Sequence, residues 1–463
     1  MLRDDIIYVS LLLSSIIYGF VYRKFKDPHK KQWAGTGFGL LLTILVSGSH
    51  VVHPLICVLI NAVIVTKLSW KICHLVSLYF SFFYLLIIFR LGHWFGMPEP
   101  PTHTNLIQMI LTLKLSGLAF EINAAAAAAV EDDPQGIKSE ALKKVQFMDV
   151  VHYSLSYMGV LTGPYYRYRT YWDSLHKPFS SYVDPWPLTL YKLKQATVLS
   201  ILFLLMNYIF PTEYTVSEEY KNSSMLYKWL YIYPVFAKFR VRIFAGVLLS
   251  ECACQMAGLG AYPTKCEASP GMGPRNYKEF EEICAHQGQI TQEQYDFETV
   301  HNMNIWKVET CPLVRSCMKH WNSCIQYWMG FYIYKRFPYK SLRTIVTLVI
   351  SSLWHGYAIG YYVCICSVSV YLKLEDLLVE FHNQHDKNSI EWKIWAFTLW
   401  FMRLSCMAYL GVPFLLLGFQ EILQFYASLY YLGHIIAIIM YIIAICIKPK
   451  VIKQNKENKE KKN

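Results

Sequence analysis

Two side chains capable of chemistry lie in stretches that are otherwise apolar or aromatic. The first is His355, in Ser351-Ser352-Leu353-Trp354-His355-Gly356, within the apolar run Ile345–Leu372. Imidazole is the side chain best suited to exchanging a proton near neutral pH. An ionisable group inside a run long enough to span a bilayer is costly to place and is by default a functional candidate. Thr347, Ser351 and His355 recur at i, i+4 and i+8, one polar stripe of a helix. Such a stripe faces a bundle interior or a wet cavity. The other reading is a neutral histidine hydrogen-bonded to a neighbouring helix. The second candidate is Asn322, 33 positions earlier, in Lys319-His320-Trp321-Asn322-Ser323-Cys324-Ile325-Gln326-Tyr327-Trp328. Lys319, Asn322 and Gln326 at i, i+3 and i+7 predict one polar face of an aromatic helix. A lone asparagine of this kind more often bonds helix to helix than serves catalysis.

Arg167, Arg169, Arg240 and Arg242 stand in short basic motifs at or inside the edges of apolar runs. The guanidinium fork matches phosphate oxygens, while interfacial snorkelling is the alternative for each. Metal chemistry has little support. His50-Val51-Val52-His53 and His382-Asn383-Gln384-His385 are two HxxH pairs, without the further histidine boxes that a di-iron lipid desaturase needs. The 13 cysteines show no metal spacing and no disulfide framework. The glycines of the polar stretch 258–309 lack phosphate-loop spacing, so nucleoside triphosphate binding is not expected.

The elements that must position these groups are membrane helices. Hydrophobic residues make up 54% of the chain and charged residues 16%, against about 25% charged in a soluble domain. The apolar residues come in runs of bilayer length. Strong runs are Ile6–Tyr22, Leu75–Leu91, Ala196–Phe210, Leu226–Ser250, Ile345–Leu372, Ile394–Gly418 and Ile422–Ile447. Weaker or broken ones are Gly35–Ser47, Val51–Thr66, Asn105–Phe120 and Tyr153–Leu161. The expectation is an all-α, polytopic helical bundle of about 9 to 11 spans enclosing a chamber, since broken segments are tolerated at membrane depth only around protein or a wet cavity. No repeat divides residues 1–463, which read as a single domain. A polar surface insertion at 124–144 opens with six alanines, a polar loop covers 258–309, and a basic tail fills 448–463. The first run reads as a retained signal anchor.

Basic residues set orientation. Arg23, Lys24, Lys26, Lys30 and Lys31 follow the first run, and the tail is basic too, so both are expected in the cytosol with the N-terminus in the lumen. Lys459 and Lys461 resemble a dilysine retrieval signal for the endoplasmic reticulum; a solvated basic tail is the alternative. Asn222-Ser223-Ser224 is a glycosylation sequon, used or unused. The net charge of +12 suits anionic headgroups or a phosphate-bearing substrate, with the bilayer and not nucleic acid as the expected surface.

A Trp-Asn pair followed by a histidine in an apolar run about thirty residues on resembles the signature of the membrane-bound O-acyltransferases. Further segments resemble the branch of that family acting on lysophospholipids. These are Leu111-Thr112-Leu113-Lys114-Leu115, Thr162-Gly163-Pro164-Tyr165-Tyr166-Arg167-Tyr168-Arg169-Thr170-Tyr171, Phe239-Arg240-Val241-Arg242, Gly258-Leu259-Gly260-Ala261-Tyr262-Pro263, Tyr332-Ile333-Tyr334-Lys335 and Trp354-His355-Gly356. The resemblance runs from the first span to the last, with the poly-alanine stretch and 265–292 divergent.

The resemblance implies an enzyme without a resident cofactor, taking acyl-CoA as co-substrate and a lysophospholipid, lysophosphatidylinositol above all, as acceptor. A polyunsaturated, arachidonoyl-like chain is implied, and a home in the endoplasmic reticulum membrane. It assigns His355 as the base for the free glycerol hydroxyl, and Asn322 either as donor to the developing oxyanion or as a residue holding the histidine or substrate. The four arginines would hold CoA phosphates or an inositol phosphate headgroup. Acylation of another lysolipid or of a secreted protein stays open, and so does a multi-pass transporter, although no pseudo-symmetric halves are visible.

Overall fold

The computed structural model describes residues 2–130, 140–286, 290 and 293–460. The chain divides into two compact units: Met1–Leu199 with Ile243–Met303 and Asn322–Pro338, and Ser200–Arg242 with Asn304–Trp321 and Tyr339–Asn463. Both are built from helices, with a single two-stranded pairing among the described residues.

Six described helical segments are long and apolar enough to cross a bilayer, or seven if the bent pair Phe419–Ser428 and Leu432–Ile447 counts as one span. The protein is therefore a multi-pass membrane protein. The count sits below the expected 9 to 11 for identifiable reasons. Gly35–Ser47 and Val51–Thr66 join in one stretch, Pro28–Lys67, through the tight turn Gly48–Val51. The helix Met225–Met256 is long, but it carries Lys228, Lys238, Arg240, Arg242 and Glu251. The Ile345–Leu372 run breaks at Gly356 into the helices Arg343–His355 and Ile359–His382.

In the first unit the helix Thr102–Val130 is the centre. Its apolar Ile107, Leu111, Leu113, Leu115 and Leu118 are buried, and so are Thr104, Gln108, Thr112, Lys114 and Ser116. A helix buried all round must satisfy its polar groups locally. Lys114 does so by donating to the Tyr166 hydroxyl at 3.1 Å while lying 4.5 Å from the Tyr153 ring centre and 4.7 Å from that of Tyr166. Trp328, fully buried, donates its Nε1 proton to the Leu113 carbonyl at 3.0 Å. The expected insertion at 124–144 begins as more of this helix, because alanine has the highest helix propensity and gives the chain no reason to stop. Residues 131–139 of that insertion lie outside the described residues.

Within the polar loop read from sequence at 258–309, many of the described residues up to Met303 are packed. Tyr262–Pro263 pairs antiparallel with Tyr295–Asp296. Cys266, Phe280, Ile283, Phe297, Val300 and Met303 are all buried. Gly271, at φ 71°, lies where a Cβ would come 3.1 Å from the Cys324 carbonyl, so this turn needs glycine for conformation and for space.

The second unit has its core where the helices Met225–Met256, Ile359–His382, Ile390–Leu416 and Phe419–Ser428 contribute Tyr231, Ile232, Val235, Phe236, Val368, Tyr409, Val412 and Phe425. A Cβ on Gly411 would fall on the Phe236 ring. Of the tail at 448–463, the backbone to Glu460 continues the helix that begins at Leu432, and residues 461–463 lie outside the described residues.

Gly39 tests this packing. A Cβ there would meet the Leu155 carbonyl and the Tyr157 nitrogen, whereas at Gly37 it would meet nothing within 4 Å. Gly39→Ala should lower the thermal midpoint of the purified protein by several degrees, equivalent to about 1–3 kcal/mol of overpacking. Gly37→Ala should leave it unchanged.

Candidate functional site

His355 is the last residue of the helix Arg343–His355. Thr347 and Ser351 share its helix and, like it, are half-buried, as one stripe requires. The imidazole is walled by aromatic rings, with Phe414 at 5.2 Å edge-on, Tyr361 at 5.8 Å and Trp354 at 4.9 Å between centroids. Two glycines make this wall possible. A Cβ on Gly356 would come 2.6 Å from Tyr361 Cε2, and one on Gly360 would fall on the Pro413 carbonyl, close to Leu417 Cα. The Gly360 amide donates to the Leu417 carbonyl at 3.2 Å. The interrupted helix thus ends at the imidazole and restarts against the end of the helix Ile390–Leu416.

Asn322 is not on a continuous helical face with Lys319 and Gln326. The helix Val314–His320 ends before it and Ser323–Trp328 starts after it, and Asn322 adopts left-handed backbone at φ 48°. Asparagine is among the few residues that enter this region readily, so the residue type that suggested a polar stripe instead permits a break. Its carboxamide is held from a place the sequence does not advertise. Asn302, 4% exposed, donates its Nδ2 proton to Asn322 Oδ1 at 3.3 Å. The Asn302 Oδ1 accepts from the Cys324 amide at 3.0 Å, and its carbonyl accepts from the Ser323 amide at 2.7 Å. Glu251 anchors Asn302 in turn. Its Oε1 accepts from the amides of Asn302 at 2.7 Å and Met303 at 3.0 Å, and its Oε2 is paired with Lys192. Glu251 has no exposed surface and Lys192 is 5% exposed.

Arg167 and Arg169 are brought together around Glu121, whose carboxylate accepts from the amides of Tyr168 at 2.9 Å and Arg169 at 3.4 Å. The Arg167 guanidinium lies 5.1 Å from the ring centres of both Tyr327 and Phe331, and that of Arg169 lies 4.6 Å from Tyr277. The Nε atoms of both arginines are buried; that of Arg169 lies 3.6 Å from the Asp173 carboxylate. Burial pushes the Asp173 carboxyl above the usual range, with Arg169 and the Tyr262 hydroxyl pulling it back. A cavity of about 10 Å³, bounded by Glu121, Arg167, Arg169, Tyr277 and Tyr332, has room for about one water. That volume is too small for a phosphate group.

Arg240 and Arg242 differ. The Arg240 fork is filled: Nε and Nη2 donate to the two Glu309 oxygens at 2.8 Å and 3.1 Å, and the guanidinium lies over Phe236 at 5.0 Å. A phosphate would have to displace a carboxylate there. Arg242 is exposed, with its guanidinium 5.7 Å from the Phe203 ring. No group of three or more potential metal ligands occurs among the described residues. His53 contacts the Tyr84 hydroxyl at 3.1 Å.

Sequence reasoning missed Glu121, Lys192, Glu251 and Asn302. For the first three a signal existed, because each is an ionisable group at the edge of an apolar run. Asn302 had none, since nothing in Val300-His301-Asn302-Met303 separates it from the other polar residues of its segment.

A model of the membrane-bound O-acyltransferase family matches residues 64–419, a range containing all six candidate site residues. Curated relatives share nearly the whole length. The chain is 38% identical to a membrane-bound acylglycerophosphatidylinositol O-acyltransferase of Drosophila melanogaster over 93% of this chain and 90% of that one. Proteins of the same description match at 30% in Xenopus laevis (99% and 97% covered) and 32% in Homo sapiens (93% and 91%).

The Arg240–Glu309 pair is open to a double-mutant cycle. Arg240→Ala and Glu309→Ala should each lower the thermal midpoint, and the double variant should fall no further than the worse single. That pattern corresponds to a coupling of about 0.5–3 kcal/mol. Additive losses would count against the pair as a structural unit.

Proposed function

The chain belongs to the membrane-bound O-acyltransferase family, and from that membership we propose that it reacylates lysophosphatidylinositol within the membrane, using acyl-CoA as donor. The observation that carries this reading is the near-full-length similarity to acylglycerophosphatidylinositol O-acyltransferases. The protein is an acyltransferase, and its acceptor is a lysophosphatidylinositol-type lipid. The donor, a preference for polyunsaturated chains such as arachidonoyl, the endoplasmic reticulum as its membrane and a cytosolic C-terminus belong to the proposal.

The chemistry assigns each residue one task. His355 takes the proton of the free glycerol hydroxyl, whose oxygen attacks the thioester carbonyl carbon of acyl-CoA. Asn322 donates to the carbonyl oxygen as it gains negative charge. The tetrahedral intermediate collapses with cleavage of the C–S bond, and the CoA thiolate leaves and recovers the proton from the imidazolium. The products are phosphatidylinositol and CoA; no acyl-enzyme, metal or resident cofactor enters. The half-buried imidazole in its aromatic wall suits the task, because apolar rings limit competing water without closing the residue off. Arg167 and Arg169, which line a cavity beside Glu121, are assigned to the phosphate-bearing part of a substrate.

The test is transfer by purified protein from labelled arachidonoyl-CoA to a panel of lysophospholipids. Wild type should label phosphatidylinositol above all other products. His355→Ala, at equal yield and thermal midpoint, should lower kcat by about 10²–10⁴-fold, the usual loss for a general base. Equal transfer by both proteins would remove His355 from the chemistry, and strong labelling of a different headgroup would overturn the acceptor.

A further inference from the structure

The hydrogen bonds around Asn302 decide a question the residue types leave open, namely which end of the Asn322 carboxamide faces the reaction. A backbone N–H can only donate, so the Cys324 amide fixes the Asn302 side chain with Oδ1 toward Cys324. The Asn302 Nδ2 is then committed to donating, and the atom of Asn322 that it meets must be the acceptor, Oδ1. No other hydrogen bond of the Asn322 side chain occurs among the described residues, and the residue is half-buried. Its NH₂ group is therefore the end left for a ligand.

Asn302 can impose this because its own position is over-determined. Its amide is held by the buried Glu251 carboxylate, its carbonyl by the Ser323 amide and its side chain by the Cys324 amide. Three consecutive residues, 322 to 324, thus hang on one asparagine. Lys192 pairs with Glu251 in a place without solvent.

We propose that Asn302 is a positioning residue for acyl transfer, holding Asn322 Oδ1 so that the Asn322 NH₂ is presented as a fixed donor to the substrate carbonyl oxygen, with the Glu251–Lys192 pair as its anchor. The proposal rests on the reading that Asn322 serves the reaction. It selects oxyanion donor over acceptor for Asn322, since Oδ1 is turned toward Asn302. A donor fixed before substrate arrives needs no reorganisation as charge develops, which is what gives such groups their effect.

The experiment compares Asn302→Asp, Asn322→Ala and the double variant as purified full-length proteins, with lysophosphatidylinositol and arachidonoyl-CoA as substrates. In Asn302→Asp the near-isosteric carboxylate still accepts from Cys324 but turns a second acceptor toward Asn322, which then flips and presents Oδ1 outward. Asn302→Asp should lose kcat by about 10²-fold with KM for both substrates within about twofold, in the range found for losing one oxyanion donor. In the Asn322→Ala background it should cost nothing more, because it acts through Asn322. If Asn302→Asp folds poorly, Asn302→Ala carries the same cycle, again judged at matched thermal midpoint. Wild-type kcat in either Asn302 variant, or losses that multiply in the double variant, overturn the positioning role while Asn322→Ala still shows a loss. Full activity in Asn322→Ala instead overturns the underlying reading of Asn322, whatever Asn302 does.

Discussion

Glu251 has no exposed surface, and a carboxylate in that position must be answered by donors inside the fold or neutralised. Removing one partner of such a pair typically costs about 3–5 kcal/mol, because the remaining charge stays buried. Its donors come from widely separated places, Lys192 in the helix Trp186–Ile209 and the amides of Asn302 and Met303 at the end of a long connecting segment. One desolvated charge therefore fixes where that segment ends against the helix Met225–Met256. Through Asn302 it also fixes the backbone of residues 322 to 324. Within the first unit, the setting of Asn322 depends on that satisfaction.

Both residues assigned to the chemistry stand at helix interruptions. His355 ends one helix and Asn322 precedes another. Regular helix consumes its own backbone polar groups, so a break is where side chains and backbone can be aimed elsewhere. At membrane depth such breaks need protein around them. The protein supplies it through close approach, with Gly356 and Gly360 seating Tyr361 and the 413–417 backbone beside His355, and Gly271 seating a turn against Cys324. Two short π-helical stretches, Tyr84–Arg90 and Met329–Tyr334, are further departures from regular helix. The second carries Tyr332 to the Glu121 cavity, where its ring stacks on Phe120 at 5.0 Å.

The motifs that carried the family resemblance divide into two physical kinds. Leu111–Leu115 and Thr162–Tyr171 meet through Lys114 and Tyr166, a buried cation between tyrosine rings. That contact packs the two motifs together. Phe239–Arg242 likewise places one arginine in an ion pair and leaves the next exposed. Basic motifs that look alike in sequence thus have unlike environments, and Arg167 and Arg169 line a cavity with an acidic partner.

The sequence by itself determined the helical membrane class, the identity of His355 and Asn322 as candidates and the family they point to, because apolar run length and residue type are local properties. It did not determine how those residues are held. A stripe drawn at i, i+3 and i+7 assumes unbroken helix, and whether Asn322 takes left-handed backbone depends on what receives the neighbouring amides. The receiving group is Asn302, 20 positions earlier, and behind it Glu251, 51 earlier still. Only tertiary structure decided those pairings, since a hydrogen bond between distant residues leaves no periodicity in the chain.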